Sequence, residues 1–494
     1  MSIRYRARWI HDRPGHAMTV DDKSGHPTGH PDGRRVQAGE RRAVAWSFLY
    51  FFSILSAYYM LRPVREQLSG AVGSTQLPWF YAATFLATLT LTPVFAWLIG
   101  RYPRRIVVPG VYLFFIACLM GFVPLFTHEG LLTPRALGTV FFVWVSVFNL
   151  FVVAVFWSFM ADIWSDRQAR RLFPVIGLGG AFGAIFGPAM ASLLVGAIGV
   201  PPLLVVASCL LGVAMLCAWW LGRWSSAHGH RAKDPGHDAP VGGGMFDGLR
   251  QVFADPFTRG MALMLLLGDA IGTINYALVA DFSGQTFHDA AERTRFFANL
   301  DLLTNFLQIV VQSTFTRWLL ARHGAAPVIV MKEAATVLVL LLVCVAVDPN
   351  APVTGIAAAE AAARFGGGEG LVLSFVQGLM QTAVAMPWVG LAMVVSRGLA
   401  YGMVGPARES LFAMAPRSQR YKGKNAVDTA VWRFGDLSVA LGMNALRKLH
   451  VVVAGFAGIA ALASLTSGVV GWRLARRIER ESAEAEALPA APAA

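Results

Sequence analysis

Apolar runs of about 20 residues recur along the whole chain, and each is long enough to cross roughly 30 Å of hydrocarbon as a helix. Lipid cannot satisfy free backbone amides and carbonyls, so segments that cross it must be helical. The pattern therefore predicts an all-α polytopic membrane protein.

The runs predict twelve transmembrane helices in two sets of six. The first six spans cover residues 42–62, 77–100, 106–126, 136–162, 172–197 and 201–222. The second six cover residues 260–284, 298–319, 326–347, 384–412, 425–446 and 450–472. The segment between the two sets is rich in Gly, His and Pro, which is typical of a flexible linker.

These boundaries divide the chain into five parts. They are a polar cytoplasmic N-tail (1–41), an N-terminal six-helix half (42–222), a cytoplasmic linker (223–256), a C-terminal six-helix half (257–473) and a low-complexity C-tail (474–494). Spans 4 and 10 end in similar patterns of small residues, acidic-polar turns and clustered cations. Two parallel halves with a substrate site between them are the plan of major facilitator transporters. Residues 348–383 fit no span and are predicted to form an outer loop with a re-entrant or interfacial piece.

The distribution of charged residues predicts how the helices are oriented in the membrane. Charged residues make up 14% of the chain, against about 25% in soluble proteins. If both termini are cytoplasmic, the inner segments hold 29 Lys and Arg residues and the outer segments hold eight. This bias predicts an N-in, C-in orientation and accounts for the net charge of +13 without a nucleic-acid partner. The four cysteines all lie in apolar runs, so no disulfide framework or zinc site is expected.

Span 1 ends in charged residues that can form a binding site. Tyr58, Arg62 and Arg65 are spaced i, i+4 and i+7, so they share one helix face. Two guanidiniums on one face can hold a phosphate or carboxylate through paired hydrogen bonds. The alternative is that both arginines snorkel to the membrane interface, with Glu66 as a surface partner.

Spans 7 and 10 each place a charge within the membrane. Asp269 suits proton or cation coupling, although it can instead be a carboxylate that packs against a neighbouring helix. Arg397 lies about halfway along span 10, and Tyr401 and Arg408 follow on the same stripe at i+4 and i+11. A cavity role is expected for Arg397; the alternative is a buried pair with Glu409 or Asp436.

The start of span 11 is also rich in charge. Arg433 and Asp436 are spaced i, i+3 and can pair with each other. Lys422 and Lys424 precede the helix N-terminus, where free amides favour anions. The alternative is that both lysines belong to the ordinary cytoplasmic excess of positive charge.

Two further patterns indicate packing or surface roles. Gly179, Gly183 and Gly187 recur every four residues in span 5, which predicts close helix packing. Lys332 and Glu333, near the start of span 9, are predicted to be interfacial. The sequence has no HExxH or GxSxG motif, so no enzymatic activity, metal or cofactor is expected.

Three segments resemble the ATP/ADP translocase family of plastids and intracellular bacteria. They are YYMLRPVREQL, FWSFMADIWSDRQARRLFPVIGLGGAFG and ARESLFAMAPRSQRYKGKNAVDTAVWRFGD. The resemblance implies a major-facilitator-like fold, nucleotide exchange and a bacterial member in the inner membrane. It makes pathway candidates of Arg62, Arg65, Glu66, Asp162, Arg408, Glu409, Lys424 and Asp428. The chain departs from the family at Arg408, where the family has Lys. It also departs near Asp436, where the family has a basic residue.

The function expected from the residues and the resemblance is alternating-access transport of an anionic solute, with ATP/ADP or another nucleotide as the candidate. Substrate binding is assigned to Arg62, Arg65, Tyr58, Arg397 and Tyr401. Coupling or gating is assigned to Glu66, Asp162, Asp269, Arg408, Glu409, Lys422, Lys424, Asp428, Arg433 and Asp436. The expected partners are a small anion and the lipid bilayer, and a monomer is expected. Two alternatives stay open: a proton-coupled transporter of organic anions or metabolites, and a non-transporting scaffold or receptor.

Overall fold

The fold was described from a computed structural model, which defines residues 40–228, 254–352, 378–414 and 431–487 apart from residues 103, 129, 131, 165, 347 and 384. Ten of the helices in these ranges are long and apolar enough to cross a membrane. The expected all-α polytopic class is confirmed.

Six helices precede the linker and are called the N-terminal group. They are α1 (Arg41–Val72), α2 (Leu77–Arg101), α3 (Arg104–Thr127), α4 (Pro134–Ile163), α5 (Asp166–Ile198) and α6 (Val200–His228). They correspond to the first six predicted spans. The main difference is in α1, which continues to Val72, whereas the predicted span ends at residue 62.

The helices after the linker are called the C-terminal group. They are α7 (Pro256–Thr286), α8 (Ala290–Val311), α9 (Arg317–His323), α10 (Ala325–Val345), α11 (Trp388–Leu399), α12 (Gly405–Met414), α13 (Trp432–Lys448) and α14 (Val453–Ala487). A π-helical segment, Gln312–Thr316, joins α8 to α9, and another, Ala400–Val404, joins α11 to α12.

Two predicted spans correspond to helices that are not among the ten. Predicted span 8 corresponds to α8 with α9, and α8 includes Glu292, Arg293, Arg295 and Asp301. Predicted span 11 corresponds to α13, which has 17 residues. Residues 353–377 and 415–430 lie outside the described residues, so the predicted outer loop and the loop before span 11 stay predictions.

Helix α1 is the central helix of the bundle. It packs against α4, α5 and α6 of the N-terminal group, and also against α7 and α8 of the C-terminal group. Helices α5 and α8 provide a second contact between the groups, and α2 and α13 provide a third. Residues on α1 are therefore well placed to interact with both groups.

The glycine stripe on α5 is what lets α1 approach so closely. A Cβ atom on Gly183 would lie 2.6 Å from the carbonyl oxygen of Phe52, and one on Gly187 would lie 2.6 Å from that of Ser56. Both distances are too short for a side chain. The close packing predicted from the four-residue spacing is confirmed.

The charged pair on α10 differs from its prediction. Lys332 and Glu333 are only 3% and 4% exposed, and their charged groups are 2.9 Å apart. Glu333 also accepts hydrogen bonds from Ser464, at 2.5 Å, and from Ser467, at 2.8 Å, both on α14. The pair is buried rather than interfacial because α14 supplies polar partners that lie more than 100 residues away in the sequence.

We expect Gly183→Val to destabilise the protein markedly more than Gly212→Val. The valine at residue 183 meets the α1 backbone, and overpacking of this kind costs about 1–3 kcal/mol. Gly212 is a matched control, because it also lies inside a helix but has no atom within 4 Å of its Cβ position. Thermal unfolding of both purified variants in detergent measures the difference. Equal melting temperatures would contradict the packing role.

Candidate substrate-binding site

The charged residues of span 1 lie deep in the helix bundle. Because α1 continues to Val72, Arg62 and Arg65 are about two turns or more from its end. Arg62 is 7% exposed and Glu66 is 2% exposed. Interfacial snorkelling with Glu66 as a surface partner is therefore wrong. Burial of these charges requires compensation by neighbouring groups.

Arg62 is compensated from both groups of helices. Its Nη1 atom lies 3.3 Å from Oδ1 of Asp301 on α8, and its Nε atom lies 3.5 Å from Oε1 of Glu66 on α1. Its guanidinium also lies over the ring of Tyr59, 5.8 Å from the centroid. The ion pair between Arg62 and Asp301 thus joins the N-terminal group to the C-terminal group.

Asp301 is a residue that the sequence reasoning missed. It is 3% exposed and lies within the predicted eighth span. An acidic residue in a membrane span is the same signal that singled out Asp269. Applying that criterion to every span would have found Asp301 as well.

Arg65 is held mainly by the N-terminal group. It pairs with Glu66, its neighbour on α1, and its Nη1 atom donates a hydrogen bond to Ser146 Oγ on α4 at 3.2 Å. Its guanidinium lies over the ring of Phe142, 4.7 Å from the centroid. Glu66 therefore shares one carboxylate between Arg65 and Arg62.

Arg397 and Tyr401 approach the same region from span 10. Arg397 is close enough to Asp301 for their charges to attract each other, and Tyr401 is close to Tyr59. Tyr401 lies in the π-helical segment that follows α11, and such segments occur frequently at functional sites. The ring of Tyr58 contacts that of Tyr59, with centroids 5.0 Å apart.

Several polar atoms of this cluster have no hydrogen-bond partner among the described residues. They are Arg62 Nε, Arg65 Nε, Glu66 Oε2 and Asp301 Oδ2, and all are buried. Buried polar atoms are normally paired, so exceptions require an explanation. The two arginine Nε donors can bind an anionic ligand without breaking an existing hydrogen bond.

Asp269 and Asp436 occupy a second location, between α7 and α13. Thr273 donates a hydrogen bond to Asp436 Oδ1 at 3.2 Å. A Cβ atom on Gly435 would lie 2.5 Å from Asp269 Oδ2, so Asp269 is packed against α13. Tyr81 of α2 lies near both carboxylates and near Glu66, so it is placed between the two locations.

Of the other predicted gating residues, Asp162, Arg408 and Glu409 lie apart from this cluster. Asp162 is at the end of α4, and Arg408 and Glu409 on α12 have charged atoms 3.7 Å apart. Lys422, Lys424 and Asp428 lie outside the described residues, as does the side chain of Arg433. The exchange of partners predicted for these residues therefore stays a prediction.

Polar contacts close the end of the bundle that is predicted to face outward. Asp281 of α7 accepts a hydrogen bond from the backbone amide of Ser74 at 3.1 Å and pairs with Arg447 of α13 at 2.7 Å. Asn444 of α13 donates to the carbonyl oxygen of Thr75 at 2.8 Å. Together these contacts hold α7 and α13 to the turn between α1 and α2.

We expect Asp281→Ala to increase the population that is open at this end. The pair with Arg447 is partly exposed, and such pairs contribute up to about 1 kcal/mol, which corresponds to roughly fivefold in an equilibrium. Spin labels on Leu132→Cys and Val452→Cys report the opening, because both positions are exposed and belong to different groups. Asp348→Ala, an exposed carboxylate near the same end, is the control. An unchanged distance distribution in Asp281→Ala would contradict this role.

A membrane-spanning helical bundle with a buried ion pair between two groups of helices has the features of a secondary transporter. The sequence profile described as "Major Facilitator Superfamily" matches residues 42–408. Because the match covers most of the chain, this protein belongs to the Major Facilitator Superfamily. None of the curated proteins matches the sequence significantly.

Solved structures of transporters share the fold at low sequence identity. A mutant of the nucleoside transporter NupG gives a TM-score of 0.56 at 11% identity, with 89% of this chain and 99% of that chain covered. A D-xylose–proton symporter gives 0.55 at 9% identity, covering 88% and 98%. A bacterial homologue of the iron transporter ferroportin, in an inward-facing state, gives 0.54 at 13% identity, covering 88% and 99%. Their cargoes differ, so the likeness identifies the fold and not the substrate.

Proposed function

We propose that this secondary transporter carries an anionic solute, bound between the two groups of helices by Arg62 and Arg65 with Arg397. The observation that carries the proposal is the buried Arg62 guanidinium at the interface of the groups, beside the mostly buried Arg65, with the Nε atoms of both making no hydrogen bond among the described residues. Guanidiniums bind carboxylates and phosphates through directed, charge-assisted hydrogen bonds. A site near the middle of the bundle also fits alternating access.

A nucleotide is the first class of anion to test, and exchange is the first mode. Both come from the resemblance of three segments to the ATP/ADP translocase family. The aromatic side chains near the arginines support a planar base as part of the substrate. Tyr59 lies beside Arg62, Tyr58 contacts Tyr59, and Tyr401 lies near Tyr59. Aromatic rings of this kind can stack on nucleobases.

The direct test uses purified protein in liposomes loaded with ADP and follows the entry of labelled ATP. We expect ATP to enter ADP-loaded liposomes well above the rate of protein-free liposomes. Folded protein that gives no uptake would remove nucleotides from the proposal. The same liposomes loaded with other phosphates and with dicarboxylates would then identify the anion.

We expect Arg62→Lys and Arg65→Lys each to weaken substrate affinity by about ten- to a hundredfold, since a hydrogen bond to a charged group contributes about 1.5–3 kcal/mol. Lysine keeps the charge that compensates Glu66 and Asp301, so the fold is retained, but it loses the forked donor geometry. The measurement is KM for uptake. Arg322→Lys is the control, because Arg322 is exposed on α9. A wild-type KM in both site variants would contradict the assignment.

Proton coupling is the second candidate, favoured by the two carboxylates between α7 and α13. Asp269 and Asp436 face the same helix interface, and a carboxylate within a membrane helix can take up and release a proton. In this version a proton accompanies the anion, and uptake stops when the proton gradient is dissipated. Uptake that is insensitive to a protonophore would exclude this candidate.

A further inference from the structure

We propose that Asp301 is an internal counter-ion, which takes the place of the substrate's negative charge when the site is empty. The proposal rests on the proposed anion transport and extends it to the transport mode. An empty carrier that keeps its charges balanced can change conformation without cargo. The protein would then perform net transport as well as exchange.

The position of Asp301 distinguishes it from the other carboxylate near Arg62. Glu66 is on the same helix as Arg62 and Arg65, so it moves with them in any motion of the groups. Asp301 is on α8 of the C-terminal group, and its Oδ1 atom lies 3.3 Å from Arg62 Nη1. It is therefore the acidic partner that reaches Arg62 from across the interface.

Glu66 is already engaged on its own helix, because its Oε1 atom lies beside both Arg65 and Arg62. Arg397 is a third cation beside Asp301. The cluster thus contains three guanidiniums and two carboxylates among the described side chains. Loss of Asp301 would leave three positive charges with one carboxylate.

Charge balance matters most when the site closes on both sides. Water leaves the site in that step, and an unpaired buried charge then becomes strongly unfavourable. Asp301 lowers the excess positive charge of the cluster in the empty protein, and a bound anion lowers it in the loaded protein. Asp301→Asn should therefore block the conformational change of the empty protein. It should leave the conformational change of the loaded protein intact.

The first test observes the empty protein and needs no substrate. Dyes on Leu132→Cys and Val452→Cys, in a variant without the four native cysteines, report opening and closing by single-molecule energy transfer. We expect Asp301→Asn to slow switching of the empty protein at least tenfold. Asp301→Glu should switch at close to the wild-type rate, because it keeps the charge.

Asp289→Asn is the matched control, since Asp289 is an exposed carboxylate that caps the same helix, and asparagine caps equally well. Wild-type switching in empty Asp301→Asn would overturn the proposal. Absence of switching in the empty wild-type protein would overturn it too.

The second test compares labelled ATP uptake into empty liposomes and into ADP-loaded liposomes. We expect Asp301→Asn to take up ATP into empty liposomes at least tenfold more slowly than wild type. Its rate of exchange in ADP-loaded liposomes should stay within about threefold of wild type. Equal loss of both activities would overturn the proposal. If wild-type protein takes up no ATP in either set, the nucleotide assignment fails, while the switching rates still decide the role of Asp301.

Discussion

A charge can remain inside a membrane-embedded bundle only when an opposite charge lies beside it, and the organisation of this protein follows from that constraint. Arg62 is the clearest case, because its compensation comes from α1 and from α8 at once. The need to keep Arg62 paired ties the N-terminal and C-terminal groups together at the centre. Any conformational change must either preserve that pair or replace it.

The packing around α1 explains how one helix can serve both groups. Glycines on α5 let α1 approach closely on one side, where backbone meets backbone. The C-terminal part of α1 meets α7 and α8 through polar and charged side chains, among them Ser69, which shares a hydrogen bond with Tyr276. The close contact with α5 holds α1 within the N-terminal group. The polar contacts with α7 and α8 can instead be replaced by contacts with a ligand.

The sequence predicts those features that depend on local spacing. Hydropathy locates the helices, and the four-residue glycine repeat identifies the packing face of α5. Hydropathy also ends span 1 at residue 62, because it treats charge as the edge of the membrane. The structure instead extends α1 to Val72, since Asp301 and Ser146 provide polar partners for the arginines.

Contacts between distant residues could not be predicted in the same way. Arg65 and Ser146 are 81 residues apart, and Glu333 and Ser464 are 131 residues apart. No periodicity within one helix reports such pairs. The partners of a buried charge can therefore be identified only when the neighbouring helices are known.

The π-helical segment at Ala400–Val404 has a consequence for how span 10 presents its charges. A π segment accommodates one extra residue, and one residue corresponds to a rotation of about 100° around a helix axis. Arg397 and Arg408 share a stripe on an uninterrupted α-helix, but the insertion turns Arg408 away from that stripe. Span 10 therefore consists of two helices, α11 and α12, that are rotated relative to each other. Helix α11 faces the central cluster, and α12 faces a different set of neighbours.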